Sequence, residues 1–141
     1  MKEVDIAYIA GLTDGEGCLS LHARFKYGSN VYQLQISISN QHIETLQWVQ
    51  SLFGGNISKK QNGVVQWRPY SVTDQVRFLK TVRPYLRIKA RQADLLLAYR
   101  KTVGNGRKCS PELLKQRNAI VQEVYSLNGA RTGKPSRKLK D

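Results

Sequence analysis

The sequence predicts an α+β fold: four antiparallel strands with their helices on one face, in the order α-ββ-α-ββ-α-α-α. Three observations predict it. Residues 18–26 and 31–40 alternate strictly between apolar and polar side chains on either side of a turn, the pattern of a half-buried hairpin. A second pair of strand-like runs is joined at Asn62-Gly63, the strongest short hairpin signal. The segments between and after these pairs carry apolar residues at helical spacing.

The elements follow in chain order. Residues 4–14 (VDIAYIAGLTD) are apolar nearly all round, as in a helix buried on several sides. Gly15 and Gly17 let the chain leave it. In the first hairpin Leu19, Leu21, Ala23 and Phe25 share one face, with Cys18, Ser20, His22, Arg24 and Lys26 on the other. Tyr27-Gly28-Ser29-Asn30 reads as the turn. Leu34, Ile36 and Ile38 then oppose Gln33, Gln35, Ser37 and Ser39. The polar face so formed contains no acid. Residues 43–53 read as a helix ending at Gly54-Gly55, and the second strand pair spans roughly 56–61 and 64–73. A helix over 74–83 begins at Thr73 or Asp74 as its cap and stops before Pro84. Helices over 90–102 and 111–127 complete the order, the last announced by Ser110-Pro111-Glu112. Residues 1–128 thus form one domain, and the tail 129–141 (GARTGKPSRKLKD) reads as a flexible basic arm.

The chain has 141 residues, with 23 Lys and Arg against ten acids, a net charge of +13. That balance implies a polyanionic partner, nucleic acid before an acidic membrane surface. No run of 18 apolar residues occurs and no signal-peptide pattern opens the sequence. Cys18 and Cys109 stand apart, with no CxxC and no His at ligand spacing. A structural zinc site is not expected, and the thiols suit a reducing compartment. The expectation is an intracellular, non-secreted protein of a prokaryotic cytoplasm or an organelle.

Four of the ten acids, Glu3, Asp5, Asp14 and Glu16, fall in the first sixteen residues. Asp14 and Glu16 flank Gly15 at the end of the first helix. Acids there face the negative end of the helix dipole, a cost of a few tenths to about 1 kcal/mol each. Their concentration at an unfavourable place suggests a bound cation.

Residues 9–17, Ile9-Ala10-Gly11-Leu12-Thr13-Asp14-Gly15-Glu16-Gly17, resemble the LAGLIDADG motif that names a family of homing endonucleases. Glu16 stands for the motif's last Asp, and Thr13 for an apolar residue. With the hairpin, helix, Gly54-Gly55 and second hairpin that follow, the resemblance covers about residues 4–100. It implies an αββαββα homing-endonuclease-like fold with a four-stranded antiparallel saddle sheet gripping double-stranded DNA, and extra C-terminal helices. Members with one motif are homodimers whose motif helices pair about a two-fold axis, and this chain has one. A homodimer on a near-palindromic site follows. Ala7, Ala10 and Gly11 put small side chains where a second helix could approach, the alternative being ordinary core packing.

Phosphodiester hydrolysis needs an activated water, charge stabilisation and help for the leaving oxygen. A hard divalent cation supplies all three. Mg²⁺ is expected, with Mn²⁺ or Ca²⁺ as other occupants, held by Glu16, the Gly15 carbonyl and Asp14, with substrate phosphates completing the shell. Asp14 has an alternative role, accepting backbone amides at the start of the first strand. The stretch from Pro84 to Ala93 resembles the family's approach to its next helix, which carries a basic residue near the active site, here Lys89. Its roles are stabilising developing charge or polarising the water, the alternative being one more phosphate contact. Gln41 resembles a family residue that orients solvent.

A β-ribbon fits the major groove. The base-contact candidates of the first hairpin are Ser20, His22, Arg24, Lys26, Gln33, Gln35, Ser37 and Ser39. In the second they are Lys59, Gln61, Gln66 and Arg68, with Trp67 and Tyr70 either core or contact. Neither His22 nor His42 reads as a general base, and no serine has a nucleophile's context. The bases from Arg131 to Lys140 are placed on phosphates. The expected function is a sequence-specific double-strand DNA endonuclease. The alternative is a non-cleaving intron-RNA maturase or DNA-binding regulator on the same fold, and retention of both Asp14 and Glu16 favours cleavage.

Overall fold

A computed structural model describes residues 1–26, 29–103 and 110–129, those of 24–26 and 29–31 by their backbone. Its element order is α1 (Glu3–Glu16), β1 (Gly17–Lys26), β2 (Ser29–Asn40), α2 (Ile43–Phe53), β3 (Asn56–Lys59), β4 (Val65–Arg68), α3 (Val72–Val82), a 3-10 turn (Arg83–Tyr85), α4 (Ala90–Thr102) and α5 (Pro111–Leu127). The expected order holds, and α2, α4 and α5 have the expected limits. The strands form one antiparallel sheet in the order β1-β2-β4-β3.

Several boundaries differ from the expectation. The second hairpin is shorter, and Gln61 lies in the connection between β3 and β4 rather than in a strand. There the Lys60 amide donates to Val64 O at 2.8 Å, and Val64 N donates to the Asn62 side chain at 3.1 Å. The turn uses Asn62-Gly63, but its backbone bonds close a wider loop than a two-residue hairpin. Helix α3 begins earlier, because the Ser71 hydroxyl accepts the Asp74 amide at 3.2 Å and so caps it. Ser29 and Asn30 belong to β2, paired with Lys26 and Phe25. Tyr27-Gly28, Cys109 and the basic bases Arg131 to Lys140 lie outside the described residues.

The core explains the layering. Leu19, Leu21, Leu34, Ile36, Ile38, Val65 and Trp67 from the sheet meet apolar side chains of all five helices. Trp67 is core and is fully buried; its ring packs with Phe53 and Phe78, and its Nε1 donates to Gly54 O at 2.7 Å. Gly55 beside it has φ +97°, and a Cβ there would lie 2.3 Å from Arg68 O. Both the conformation and the close strand approach therefore require glycine. No described helix is long and apolar enough to cross a membrane.

Helix α1 departs most from its expectation. Its apolar residues are not buried all round within this chain: Ile9, Ala10 and Thr13 are buried, whereas Val4 is 72% and Tyr8 58% exposed. Thr13 satisfies its buried hydroxyl by donating to Ile9 O at 2.7 Å. The small-residue set divides accordingly. Ala10 faces the chain's own core and is fully buried, which removes it from the expected dimer contact. Ala7 and Gly11 are on the open side.

Candidate functional site

Glu16 is the last residue of α1, and its carboxylate stands exposed. With Ser39, Asn40, Gln41 and Val64 it lines an open cleft of about 330 Å³. The end of α1 and the exit of β2 are thus brought together, with Gln41 and Glu16 lining the same cleft. The exit from the helix is sterically fixed at the next residue. A Cβ on Gly17 would lie 2.6 Å from Thr13 O, so only glycine lets the chain turn into β1 this tightly.

Asp14 meets backbone amides, but not those of the first strand. Its Oδ2 accepts from Arg87 N at 2.8 Å and its Oδ1 from Lys89 N at 2.9 Å. The segment it fixes leads into α4, 73 to 75 residues away in sequence, a partner that no local pattern reveals. Partial burial pushes the Asp14 carboxyl upward, but the amides of Arg87, Lys89 and Ile88 together with the Lys89 charge outweigh it and hold it below its ordinary value. Lys89 in turn donates from Nζ to Asp14 O at 2.6 Å. No basic residue occupies the last turn of α1 itself, so a lysine from the start of another helix complements the negative end of this one. Tyr85 Oη donates to Glu3 at the other end of α1 at 2.7 Å. The segment 85–89 therefore braces α1 along its length.

Replacing Asp14 by Asn should test this brace. The amide's NH2 would face one of the two backbone N–H groups, so that one hydrogen bond is lost at a net cost of about 0.5–1.5 kcal/mol, read as a lowered Tm. The sign with pH is fixed by the direction of the shift. The folded carboxyl titrates below its ordinary value of 3.8, so its contribution is present above that pH and lost as pH falls through the folded value. The difference in Tm between the wild type and the variant should shrink on acidification; a difference independent of pH would contradict the assignment.

A cation would find a sparse donor set here. Both Asp14 oxygens are engaged by amides, which leaves the Glu16 carboxylate as the free anionic donor of this helix end. Among the described residues no group of three or more His, Cys, Asp or Glu side chains gathers into a metal cage. One carboxylate with nearby amide and carbonyl oxygens fits Mg²⁺-type binding, in which water and substrate oxygens fill most positions.

The polar face of the sheet holds most of the expected base-contact residues. His22, Gln33, Gln35 and Arg68 line a second open cleft of about 410 Å³ beside Pro69 and Gln75. His22 and Gln33 are direct cross-strand partners, as are Ser20 and Gln35. Besides Gln61 in the β3–β4 connection, three candidates are placed otherwise. Ser37 is only 3% exposed, pinned at the sheet centre opposite Cys18. Gln66 is 7% exposed, and both ends of its amide are bonded within the protein. Lys59 pairs with buried Val65 and shares the helix-side face with Ile57 and Trp67; at the end of an edge strand its side chain stays solvated there. The residues of β3 on the polar face are instead Asn56 and Ser58, opposite Arg68 and Gln66. Anchoring the alternation on Ile57 would have revealed them. Arg24 and Lys26 belong to β1, but their side chains lie outside the described residues. Tyr70 is 73% exposed and is not core. The His42 ring accepts the Thr45 amide and so caps the start of α2.

An acid-bearing helix end is thus set against an acid-free sheet face. The model of the LAGLIDADG endonuclease family matches residues 9–101. Solved structures agree in fold. The homing endonuclease I-CvuI is 22% identical, with a TM-score of 0.76 over 88% of this chain and 82% of that one. The archaeal intron-encoded homing endonuclease I-Vdi141I is 19% identical, with a TM-score of 0.77 over 90% and 86%. I-TnaI, another homing endonuclease, is 20% identical, with a TM-score of 0.68 over 84% and 86%. The chain belongs to the LAGLIDADG endonuclease family, and it is a site-specific DNA endonuclease.

Proposed function

We propose that two copies of this chain pair through the open side of α1 and cut both strands of a near-palindromic DNA site in a Mg²⁺-dependent reaction. The observation that carries this reading is the exposed Glu16 carboxylate at the end of α1, beside Gln41 and at the margin of an acid-free polar sheet face. The comparisons support it. I-CvuI is described in complex with its target in the presence of Ca, and with another target in the presence of Mg. The match to the meganuclease I-AabMI, described as bound to uncleaved DNA, covers 89% of this chain but 48% of that one. One copy of this chain thus corresponds to about half of that protein.

Each residue then has a role in the reaction. Glu16 of each copy holds the cation with the Gly15 carbonyl, one site serving each strand. Bound there, the cation supplies charge neutralisation and a more acidic water. Gln41 orients solvent towards the scissile phosphate. Asp14 positions Lys89, whose ammonium sits at the same helix end and offsets developing negative charge. The polar face, from Ser20, His22, Gln33, Gln35 and Ser39 to Arg68, lies along the major groove.

The test is selection of cleaved sites from a randomised DNA pool with Mg²⁺ present. We expect a pseudo-palindromic consensus, double-strand cuts, and loss of cutting with a chelator. Affinity should fall steeply with salt, with a log–log slope of about −0.9 per neutralised phosphate. Metal-independent cutting or an asymmetric consensus would overturn the reading.

A further inference from the structure

We propose that Gln66 reads no base itself and is a positioning residue that, backed by Ser39, holds Arg68 ready to recognise a guanine. The proposal rests on the DNA-reading role given above to this sheet face.

The geometry is a three-residue chain across two strands. Ser39 on β2 and Gln66 on β4 are direct cross-strand partners. Gln66 Nε2 donates to Ser39 Oγ at 3.3 Å, and Gln66 Oε1 accepts from Arg68 Nε at 3.0 Å. The glutamine amide thus spends its carbonyl on one neighbour and an N–H on the other. At 7% exposure it has little surface to offer a base edge. A glutamine reads adenine by presenting both ends of its amide together, and here the two ends are already engaged.

Arg68 is in the opposite situation. It is exposed, and among the described residues no carboxylate is ion-paired with it. Only its Nε is held, on the side facing Gln66. The terminal Nη1 and Nη2 remain as a planar pair of donors, the arrangement that meets guanine O6 and N7 bidentately. Holding Nε fixes the plane of the whole guanidinium, because the group is rigid. Its neighbours in the cleft, His22, Gln33 and Gln35, carry no negative charge that would draw it aside.

The experiment is a binding selection on randomised half-sites with the full-length protein, repeated for four variants. The wild type should require guanine at one position per half-site, other bases weakening binding there by roughly 10- to 100-fold. Arg68→Ala should erase the preference at that position and leave the others. Gln66→Ala should weaken the same preference several-fold, with affinity for unrelated DNA unchanged. Gln66→Glu keeps an acceptor for Nε and should restore the preference, and Ser39→Ala should reduce it less than Gln66→Ala does. Circular dichroism melts confirm that each variant is folded; if Gln66→Ala is not, the comparison of Gln66→Glu with Arg68→Ala decides. A change at a different base position in Gln66→Ala would make Gln66 a reader and overturn the proposal. An equal loss at all positions would make it merely structural, and overturn it too. A selective wild type indifferent to Arg68→Ala overturns this proposal alone, whereas a wild type that selects no sequence overturns the DNA-reading role beneath it.

Discussion

Glu16→Gln should lower the cleavage rate by at least about 10³-fold while the protein folds and binds its site as before. Losing the anionic ligand removes several kcal/mol of transition-state charge stabilisation, and about 4 kcal/mol corresponds to that factor. Folding gives no reason to expect damage. The side chain is exposed at the last position of α1, and the two residues are nearly isosteric. Removing a negative charge from a helix C-terminus even stabilises it, by a few tenths of a kcal/mol. The expected pairing is therefore an unchanged or slightly raised Tm, unchanged site affinity, and lost cutting in Mg²⁺. A purely structural role for Glu16 would give the reverse, a lowered Tm with activity retained in the folded fraction. Cutting at a near-wild-type rate would sink the assignment.

That expectation was open to the sequence because the signal is local. Asp14 and Glu16 break the electrostatic rule for a helix end within three residues, and a nine-residue motif surrounds them. The first hairpin was legible for the same reason: strict alternation of Leu19, Leu21, Leu34, Ile36 and Ile38 fixes both faces, and their burial agrees. What was not legible depends on distant parts of the chain. The partners of Asp14 are amides at Arg87 and Lys89, and nothing near Asp14 indicates them. The face of Lys59 follows from its register with Val65, which a four-residue strand beside a five-residue loop does not reveal. The bonding of Gln66 on both amide ends required knowing that Ser39 is opposite it.

The division of α1 has the same origin and carries the second large effect. Alternating-face arguments do not apply to a helix that is apolar on every side, so the sequence could not say whether Ala10 or Gly11 faced outward. The structure buries Ala10 and leaves open Val4, Ala7, Tyr8 and Gly11. Positions 4, 8, 11 and 15 fall on one stripe of a helix, and both Gly11 and Gly15 are on it. A Cβ at either glycine would touch nothing within 4 Å in this chain. Glycine in a helix interior costs about 0.5–1 kcal/mol relative to alanine, and the chain's own packing returns nothing for it. A second helix at close range would.

Gly11→Leu separates the two possibilities by opposite signs. In an isolated chain the leucine points into open space and should leave the fold intact or raise its helix stability, since leucine is the better helix former. Across a two-fold axis the same side chain enters twice. Overpacking a tight contact costs about 1–3 kcal/mol, so the pair should lose roughly 2–6 kcal/mol, a fall in dimer affinity on the order of 30-fold to 10⁴-fold. Sedimentation should then show a folded 16.0 kDa monomer at concentrations where the wild type is a dimer. Double-strand cutting should disappear with the dimer, because each monomer carries one Glu16. A Gly11→Leu protein that remains dimeric and cuts would mean that the open stripe of α1 is not where the copies meet.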